Sequence, residues 1–265
     1  MADFLGGDPT DWDVVVALPA HDEECLAEFL AEIDSHLTGT VRSLRFVVVD
    51  DASPEPVDRT SLPAGTRLLV NRTNLGHGPT VLRAYREALS LAPDVVVHVD
   101  GDGQFRGHDF PRLLQALVEA DVVLGTRVGR DDPWFRRVLS RLLRQLLPAA
   151  DRVGADVNTP LRAYRATALP LLLDRVPADS LVPHVHWSLL HGRLGLRLAA
   201  VPVESLPRRG ASSVGTTWRS GRAPSVLPPR RLLSFCRRAL LEVVRVRSGV
   251  QAPRAVVTVV DDAAA

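Results

Sequence analysis

The chain has 265 residues, 46% hydrophobic and 24% charged, which suits one generous α/β domain with a tail and excludes a largely disordered protein. Its formal charge of +1 hides an asymmetry: Leu206 to Arg247 carries ten Arg against a single acid, Glu242, so the remainder is net acidic. Every basic side chain is Arg, which excludes Lys Schiff-base chemistry and a Lys-based phosphate loop. The two Cys, Cys25 and Cys236, give neither a disulfide framework nor a zinc spacing.

The acidic start, MADFLGGDPTDWD, has no long apolar run, so no signal peptide is expected. Val14–Leu18 (VVVAL) predicts a first strand. From Glu23 the residues Leu26, Phe29, Leu30, Ile33 and Leu37 recur at helical spacing. Phe46–Val49 predicts a second strand running into Asp50-Asp51, and Arg67–Val70 a third. Thr80–Leu91 predicts a helix with Val81, Leu82, Tyr85 and Leu89 on one face. Val95–Val99 (VVVHV) predicts a fourth strand running into Asp100, Phe110–Leu117 a helix, and Val122–Leu124 a fifth strand. A long helix is expected from Trp134 to Leu147. Past Gly154 the pattern is irregular until Leu196–Val203, a further strand. Arg208–Ser225 predicts a loop. Arg230–Arg247 predicts a helix with Leu232, Leu233, Cys236, Ala239, Leu240, Val243 and Val244 on one face and Arg largely on the other. Val250–Ala265 is left as a short strand or a disordered end. No 18-residue uncharged apolar run exists, so no membrane-spanning helix is expected.

Strands that are apolar throughout, alternating with helices, predict an α/β fold: a mostly parallel sheet covered on both faces. Two units are expected, an α/β domain over 1–215 and a basic loop, amphipathic helix and tail over 216–265. Ligands of such sheets collect at the carboxyl ends of the strands. The polar clusters stand there: His21-Asp22-Glu23, Asp50-Asp51, Asp100–Gln104 and Thr126-Arg127.

Asp100-Gly-Asp102 is central. Two carboxylates one residue apart at a strand end can turn to one point, and Mg²⁺ or Mn²⁺ seeks such oxygens together with substrate phosphates. Gln104 and Asp109 follow closely. Asp51 could accept from a base N–H or ribose hydroxyls, or act as a turn acid beside Ser53-Pro54. Asn74-Leu-Gly76-His-Gly78 opens a helix whose amides could approach a phosphate. A dinucleotide fingerprint fails, because no GxGxxG follows the first strand.

The strings ALPAHDEE, VVVDDAS, NLGHGPTVLRAY, VHVDGDGQF and DVVLGTR, with Arg136 and Ser140 four apart, resemble glycosyltransferase family 2 in order and spacing, from about Asp13 to Ser213. The likeness is greatest to the branch containing dolichyl-phosphate mannose synthase and bacterial polyprenyl-phosphate glycosyltransferases. It implies a GT-A fold and an inverting transfer from a nucleotide diphosphate sugar, GDP-mannose or a UDP-hexose. By resemblance, Pro19, Ala20, His21, Glu23 and Asp51 hold the nucleotide, and Asp100, Asp102 and Gln104 hold the metal and diphosphate. Arg127, Arg136 and Ser140 bind donor or acceptor phosphate, with Asp102, Arg127 and Arg136 carrying catalysis. The stretch Asp156-Val-Asn-Thr-Pro-Leu-Arg162 resembles the family's D-x-x-S-G-F-R with Thr-Pro-Leu in place of Ser-Gly-Phe. Arg208-Arg209-Gly210-Ala-Ser212 resembles its R-x-G-x-S. These two segments add Arg162 and Arg209 as expected phosphate ligands.

The acceptor decides whether a base is needed. A phosphate monoester is already largely dianionic at pH 7 and needs Arg to position it. A hydroxyl acceptor needs a base, for which His184, His186 and Asp156 are candidates by position. The expected acceptor is a polyprenyl-phosphate-type lipid, and the alternative is a soluble hydroxyl compound. A catalytically inactive nucleotide-sugar-binding module is the reading from another class. Nucleotidyl transfer would want a basic Gly-rich loop where LPAHDEE is acidic. No nucleic acid is expected as a partner. The expected location is the cytoplasm or, peripherally, the inner face of the plasma membrane, reached through the Arg230–Arg247 helix.

Overall fold

A strand covered on both faces must be apolar at every position rather than at every second one. In the computed structural model, Val14, Val16 and Leu18 face one core while Val15 and Ala17 face another. The structure describes residues 7–128, 141, 145, 156–210, 234, 236–242 and 257–259. In chain order the elements are β1 (Asp13–Ala20), α1 (Leu26–Leu37), β2 (Ser43–Asp50), β3 (Arg67–Val70), α2 (His77–Leu89), β4 (Val95–His98), α3 (Asp109–Leu117) and β5 (Val122–Val128). Then come β6 (Arg162–Arg165), α4 (Leu169–Leu173), α5 (Pro183–Leu190), β7 (Leu198–Glu204) and β8 (Val257–Val259).

The strands form one eight-stranded sheet in the order β3-β2-β1-β4-β6-β5-β7-β8. Every neighbouring pair is parallel except the two that involve β6, which runs antiparallel between β4 and β5. The expected α/β architecture is thus observed. Helices α1 and α3 cover one face through Phe29, Leu30, Ile33, Phe110 and Leu113. Helices α2, α4 and α5 cover the other through Val81, Tyr85, Leu169, Leu172 and Trp187.

Two elements depart from expectation, and a third resolves an open alternative. The helix expected from Glu23 starts at Leu26, because Asp22 takes a positive φ of 56° and residues 21–25 turn back across the strand ends. Strand β6 was not foreseen: in Arg-Ala-Tyr-Arg the residues that face one core are Arg162 and Tyr164, which make no apolar run. The Pro-His-Val-His-Trp stretch, whose letters fit either an alternating strand or a helix start, is helical, and α5 is buried at all eight of its positions, so it carries no one-sided apolar stripe.

The helix expected over Trp134–Leu147 lies outside the described residues apart from Arg141 and Gln145, which are helical. So does the expected boundary at 215/216. Of the basic helix, residues 236–242 are described and are helical. Leu240, expected on the apolar face, is 53% exposed, as Leu241 is 50% exposed, with Arg237 and Arg238 beside them. Glu242 turns inward, accepting from the Ser180 hydroxyl, from the Leu181 N–H at 3.1 Å and from His186 at 2.7 Å. Among the described residues of this helix, the Glu242 carboxylate ties it to α5 and the residues just before it. No helix among the described residues is long and apolar enough to cross a membrane.

Candidate active site

Because β2, β1 and β4 are adjacent and parallel, their carboxyl ends meet at one edge. Asp51 N donates to Ala20 O at 2.8 Å, and Gly101 N donates to Pro19 O at 3.2 Å. This draws Asp50-Asp51, Pro19–Glu23 and Asp100–Gln104 together. Gly101 lies so close to β1 that a Cβ there would sit 3.0 Å from the Pro19 carbonyl oxygen, so the position between the two acids has no room for a larger side chain.

Asp51 is buried, and its carboxylate accepts from Asn71 Nδ2 at 2.7 Å and from the Leu75 and Gly76 N–H groups at 2.8 Å each. It therefore shapes the 71–76 loop that leads into α2. His21 Nε2 lies 3.4 Å from Asn74 Nδ2, while its Nδ1 is buried without a partner. Asp50 accepts from the Ser53 N–H at 3.1 Å and from the Ser53 hydroxyl, and Ser53 Oγ in turn accepts from Asp22 N at 2.8 Å.

The second cluster is strongly acidic. Among the described residues Asp100 Oδ1 is buried with no hydrogen-bond donor, and the imidazole of His77, at the start of α2, stands 3.7 Å away. Burial, with Asp100 alongside, pushes the Asp102 carboxyl up to about 7. Burial pushes Glu23 up to about 7 as well, against the pull of Arg208 and with Asp102 and Asp100 adding to the rise. Carboxylates crowded away from water favour either a proton or a positive ion. Among the described residues no three His, Cys, Asp or Glu side chains form a closed metal cage. An ion held at this edge would thus be completed by substrate oxygens, as Mg²⁺ and Mn²⁺ commonly are. The side-chain amide of Gln104 donates to Leu206 O at 3.1 Å, which leaves its oxygen for other use. Asp109 lies apart from this cluster: it opens α3 and pairs with Arg112 at 3.2 Å.

Residues 206–210, after β7, lie across the Asp100–Gln104 loop. Leu206 N donates to Gln104 O at 2.9 Å and Arg209 N to Asp102 O at 3.0 Å. Gly103 has a φ of 68°, and the Arg209 side chain packs where a Cβ would stand, so this crossing requires glycine. Arg209 points away from the acids: it donates to Gly103 O at 3.0 Å, pairs with Glu32 at 2.5 Å and lies over the Phe29 ring. Its neighbour Arg208 pairs with Glu23 at 2.7 Å. Arg208 and His77 were both absent from the expected site. Arg208 heads the R-x-G-x-S string, which was the available signal, but adjacent arginines cannot be told apart without the path of this segment.

A third cluster stands beyond β4. Since β6 runs antiparallel, the residues preceding it, 156–161, arrive at the same edge. Arg127 at the end of β5 makes a two-pronged pair with Asp156, at 2.5 and 2.9 Å, and also donates to Asn158 O at 3.3 Å. Arg162 is wholly buried, donating to Thr159 O at 2.7 Å, Val157 O at 2.8 Å, Ser188 Oγ at 3.2 Å and the Tyr164 hydroxyl at 3.3 Å. Expected as a phosphate ligand, it is spent bracing the 157–159 loop from beneath, because a buried guanidinium must satisfy its N–H groups locally. His184 and His186 are likewise buried. His184 is hydrogen-bonded to the Tyr85 hydroxyl at 3.1 Å, and burial holds its pKa well below the ordinary value. Arg136 and Ser140 lie outside the described residues.

Comparison with known proteins identifies the family and the fold. A family model described as glycosyl transferase family 2 matches residues 15–168. The undecaprenyl-phosphate mannosyltransferase of Micrococcus luteus is 28% identical over 209 residues, covering 74% of this chain and 84% of that protein. The undecaprenyl-phosphate 4-deoxy-4-formamido-L-arabinose transferase of Edwardsiella ictaluri is 27% identical over 210 residues, 76% of this chain. The chain spans only 62% of that relative's length. Among solved structures, a mannosyltransferase from Pyrobaculum calidifontis in complex with GDP-Man and Mn²⁺ matches with a TM-score of 0.58 and 20% identity, over 93% of this chain and 67% of that one. Glucosyl-3-phosphoglycerate synthase from Mycobacterium tuberculosis, in complex with Mn²⁺, UDP-Glc and phosphoglyceric acid, matches with a TM-score of 0.62 and 18% identity, over 89% and 80%. At these identities the solved structures speak for the shared fold.

Proposed function

The chain belongs to glycosyl transferase family 2 and is a glycosyltransferase, and from that premise we propose that it moves a hexose from a nucleotide diphosphate sugar onto a polyprenyl phosphate, inverting the anomeric centre. One observation carries the choice of acceptor: none of the three candidate bases is placed to act as one. Asp156 has both oxygens engaged by Arg127, and His184 and His186 are buried within the α2–α5 layer. A phosphate acceptor supplies its own anionic nucleophile at neutral pH and needs cations for orientation. Relatives named undecaprenyl-phosphate transferases support the same choice.

In this reading Asp100, Asp102 and Gln104 hold a divalent cation, Mg²⁺ or Mn²⁺. The cation would neutralise charge on the departing diphosphate. Pro19, Ala20, His21 and Glu23 border the nucleotide, and Asp51 acts through the 71–76 loop that it orders. Arg127, steadied by Asp156, orients the acceptor phosphate together with Arg136 and Ser140. Arg209 holds residues 206–210 in place and makes no phosphate contact, and Arg162 acts as a brace.

The basic helix bears on location. Arg237, Arg238, Leu240 and Leu241 are all exposed, an arrangement suited to an anionic bilayer surface, where Arg meets headgroups and Leu the acyl boundary. Flotation with vesicles containing phosphatidylglycerol is expected to carry the protein upward. Protein that stays at the bottom at low salt counts against this contact.

The decisive assay supplies GDP-mannose or UDP-glucose with Mn²⁺ and compares short polyprenyl phosphates with free sugars and glycerol-type alcohols. Sugar is expected on the lipid phosphate. Transfer to hydroxyl acceptors alone would move the enzyme to the soluble-acceptor class, and donor binding without any turnover would make it a binding module.

A further inference from the structure

The edge that carries Glu23, Asp100 and Asp102 gathers three carboxyl groups largely away from water. Among the described residues, one guanidinium pairs directly with a carboxylate of this edge. Arg208 rides on residues 206–210, whose backbone is tied to the Asp100–Gln104 loop through Leu206, Gln104 and Arg209. The segment is fixed a second time by Arg209, pinned to Glu32 and Gly103. From that base the Arg208 guanidinium pairs with Glu23 at 2.7 Å and reaches Asp22 O at 3.5 Å. Both members of the pair are largely buried, with side chains only 14% and 12% exposed. A surface ion pair would contribute little, but a cation at this depth answers a charge that water does not screen.

We infer that Arg208 is the resident counter-ion of the acidic edge in the nucleotide-free protein, and that a divalent cation arriving alone must compete with it. Once a diphosphate is bound, the same guanidinium has a second anionic partner, so it opposes the metal alone and favours the metal with its nucleotide. This inference rests on the reading of Asp100 and Asp102 as metal ligands.

The native chain titrated with Mn²⁺ without nucleotide, read by the loss of free-ion electron paramagnetic resonance signal, tests it. R208Q is expected to bind Mn²⁺ about tenfold more tightly than the native chain, since one positive charge near the ion is removed. R208K, which keeps the charge, is expected to stay near the native value. With Mn²⁺ saturating, R208Q is expected to bind GDP or UDP about tenfold more weakly. Unchanged or weaker Mn²⁺ binding by R208Q overturns the inference, as does an R208K that behaves like R208Q. If both native chain and R208Q take up Mn²⁺ only when nucleotide is present, the metal site stands and the counter-ion role falls. If D102N binds Mn²⁺ as the native chain does, the metal-site reading itself is wrong. A thermal melt of each variant confirms that the fold is retained.

Discussion

Two ends of one sheet edge treat charge in opposite ways. On the β1, β2 and β4 side, Asp100 has an oxygen with no donor, and Asp102 and Glu23 are pushed up to about 7. On the β5 and β6 side, Arg127 is matched by both oxygens of Asp156, and Arg162 donates to two carbonyls and two hydroxyls. Unmet negative charge marks where an incoming ion would be stabilised. Met positive charge marks where a side chain is being held still. Under the proposed function, the first side would take the ion and diphosphate, and the second would orient the acceptor.

The largest effect that bears on this contrast is expected at Asp102. Asp102→Asn removes one of the two carboxylates, and kcat/KM for transfer is expected to fall about 1,000-fold. A variant within tenfold of native activity would erase the difference between the two sides. Asp156→Asn should cost much less, about tenfold and chiefly in acceptor KM, because Arg127 loses its brace while the chemistry keeps its nucleophile. If Asp156 were a general base instead, the loss would match that of Asp102→Asn and one limb of the pH–rate profile would vanish. Arg162→Leu sharpens the division between holding and binding. Urea unfolding is expected to show a loss of about 3 kcal/mol, from stranded carbonyls and hydroxyls, with acceptor KM little changed. A raised acceptor KM at undiminished stability would return Arg162 to the phosphate ligands.

The smallest effect is a stability trend with pH in EDTA. A carboxyl whose folded pKa is raised stabilises the fold fully below its unfolded pKa, which is 3.8 for Asp102, and loses that contribution as pH rises through about 7. The metal-free native chain should therefore melt lower at pH 8 than at pH 5. Asp102→Asn should remove part of that slope and raise the melting temperature at pH 8 by about 5 °C. Parallel melting curves for the two proteins across this range would mean that Asp102 carries no such penalty.

Much of the donor side was legible in the sequence for a plain reason. Strands buried on both faces, such as VVVAL and FVVV, have few other uses, and acids at their ends can only fall on the carboxyl edge. The acceptor side was harder to read. Strand β6 hides in Arg-Ala-Tyr-Arg because its inward residues are a buried Arg and a buried Tyr, and polar residues at such positions mimic a loop. Helix α5 reads equally as a strand or a helix start because burial on all sides removes the period that identifies a helix. Arg162 and Arg127 look alike as letters. Only the depth of the first and the salt bridge of the second separate brace from ligand. Arg208 and Arg209 are adjacent, and the glycine-dependent crossing at Gly103 decides which one faces the acids.

The most direct test of the acidic edge is calorimetric titration of the native chain with GDP and UDP, once with Mn²⁺ and once with EDTA, alongside Asp102→Asn. One of the nucleotides is expected to bind at least about tenfold more tightly with Mn²⁺, and Asp102→Asn is expected to lose that gain. Equal affinity with Mn²⁺ and with EDTA, or a metal-dependent gain that survives in Asp102→Asn, would contradict the account.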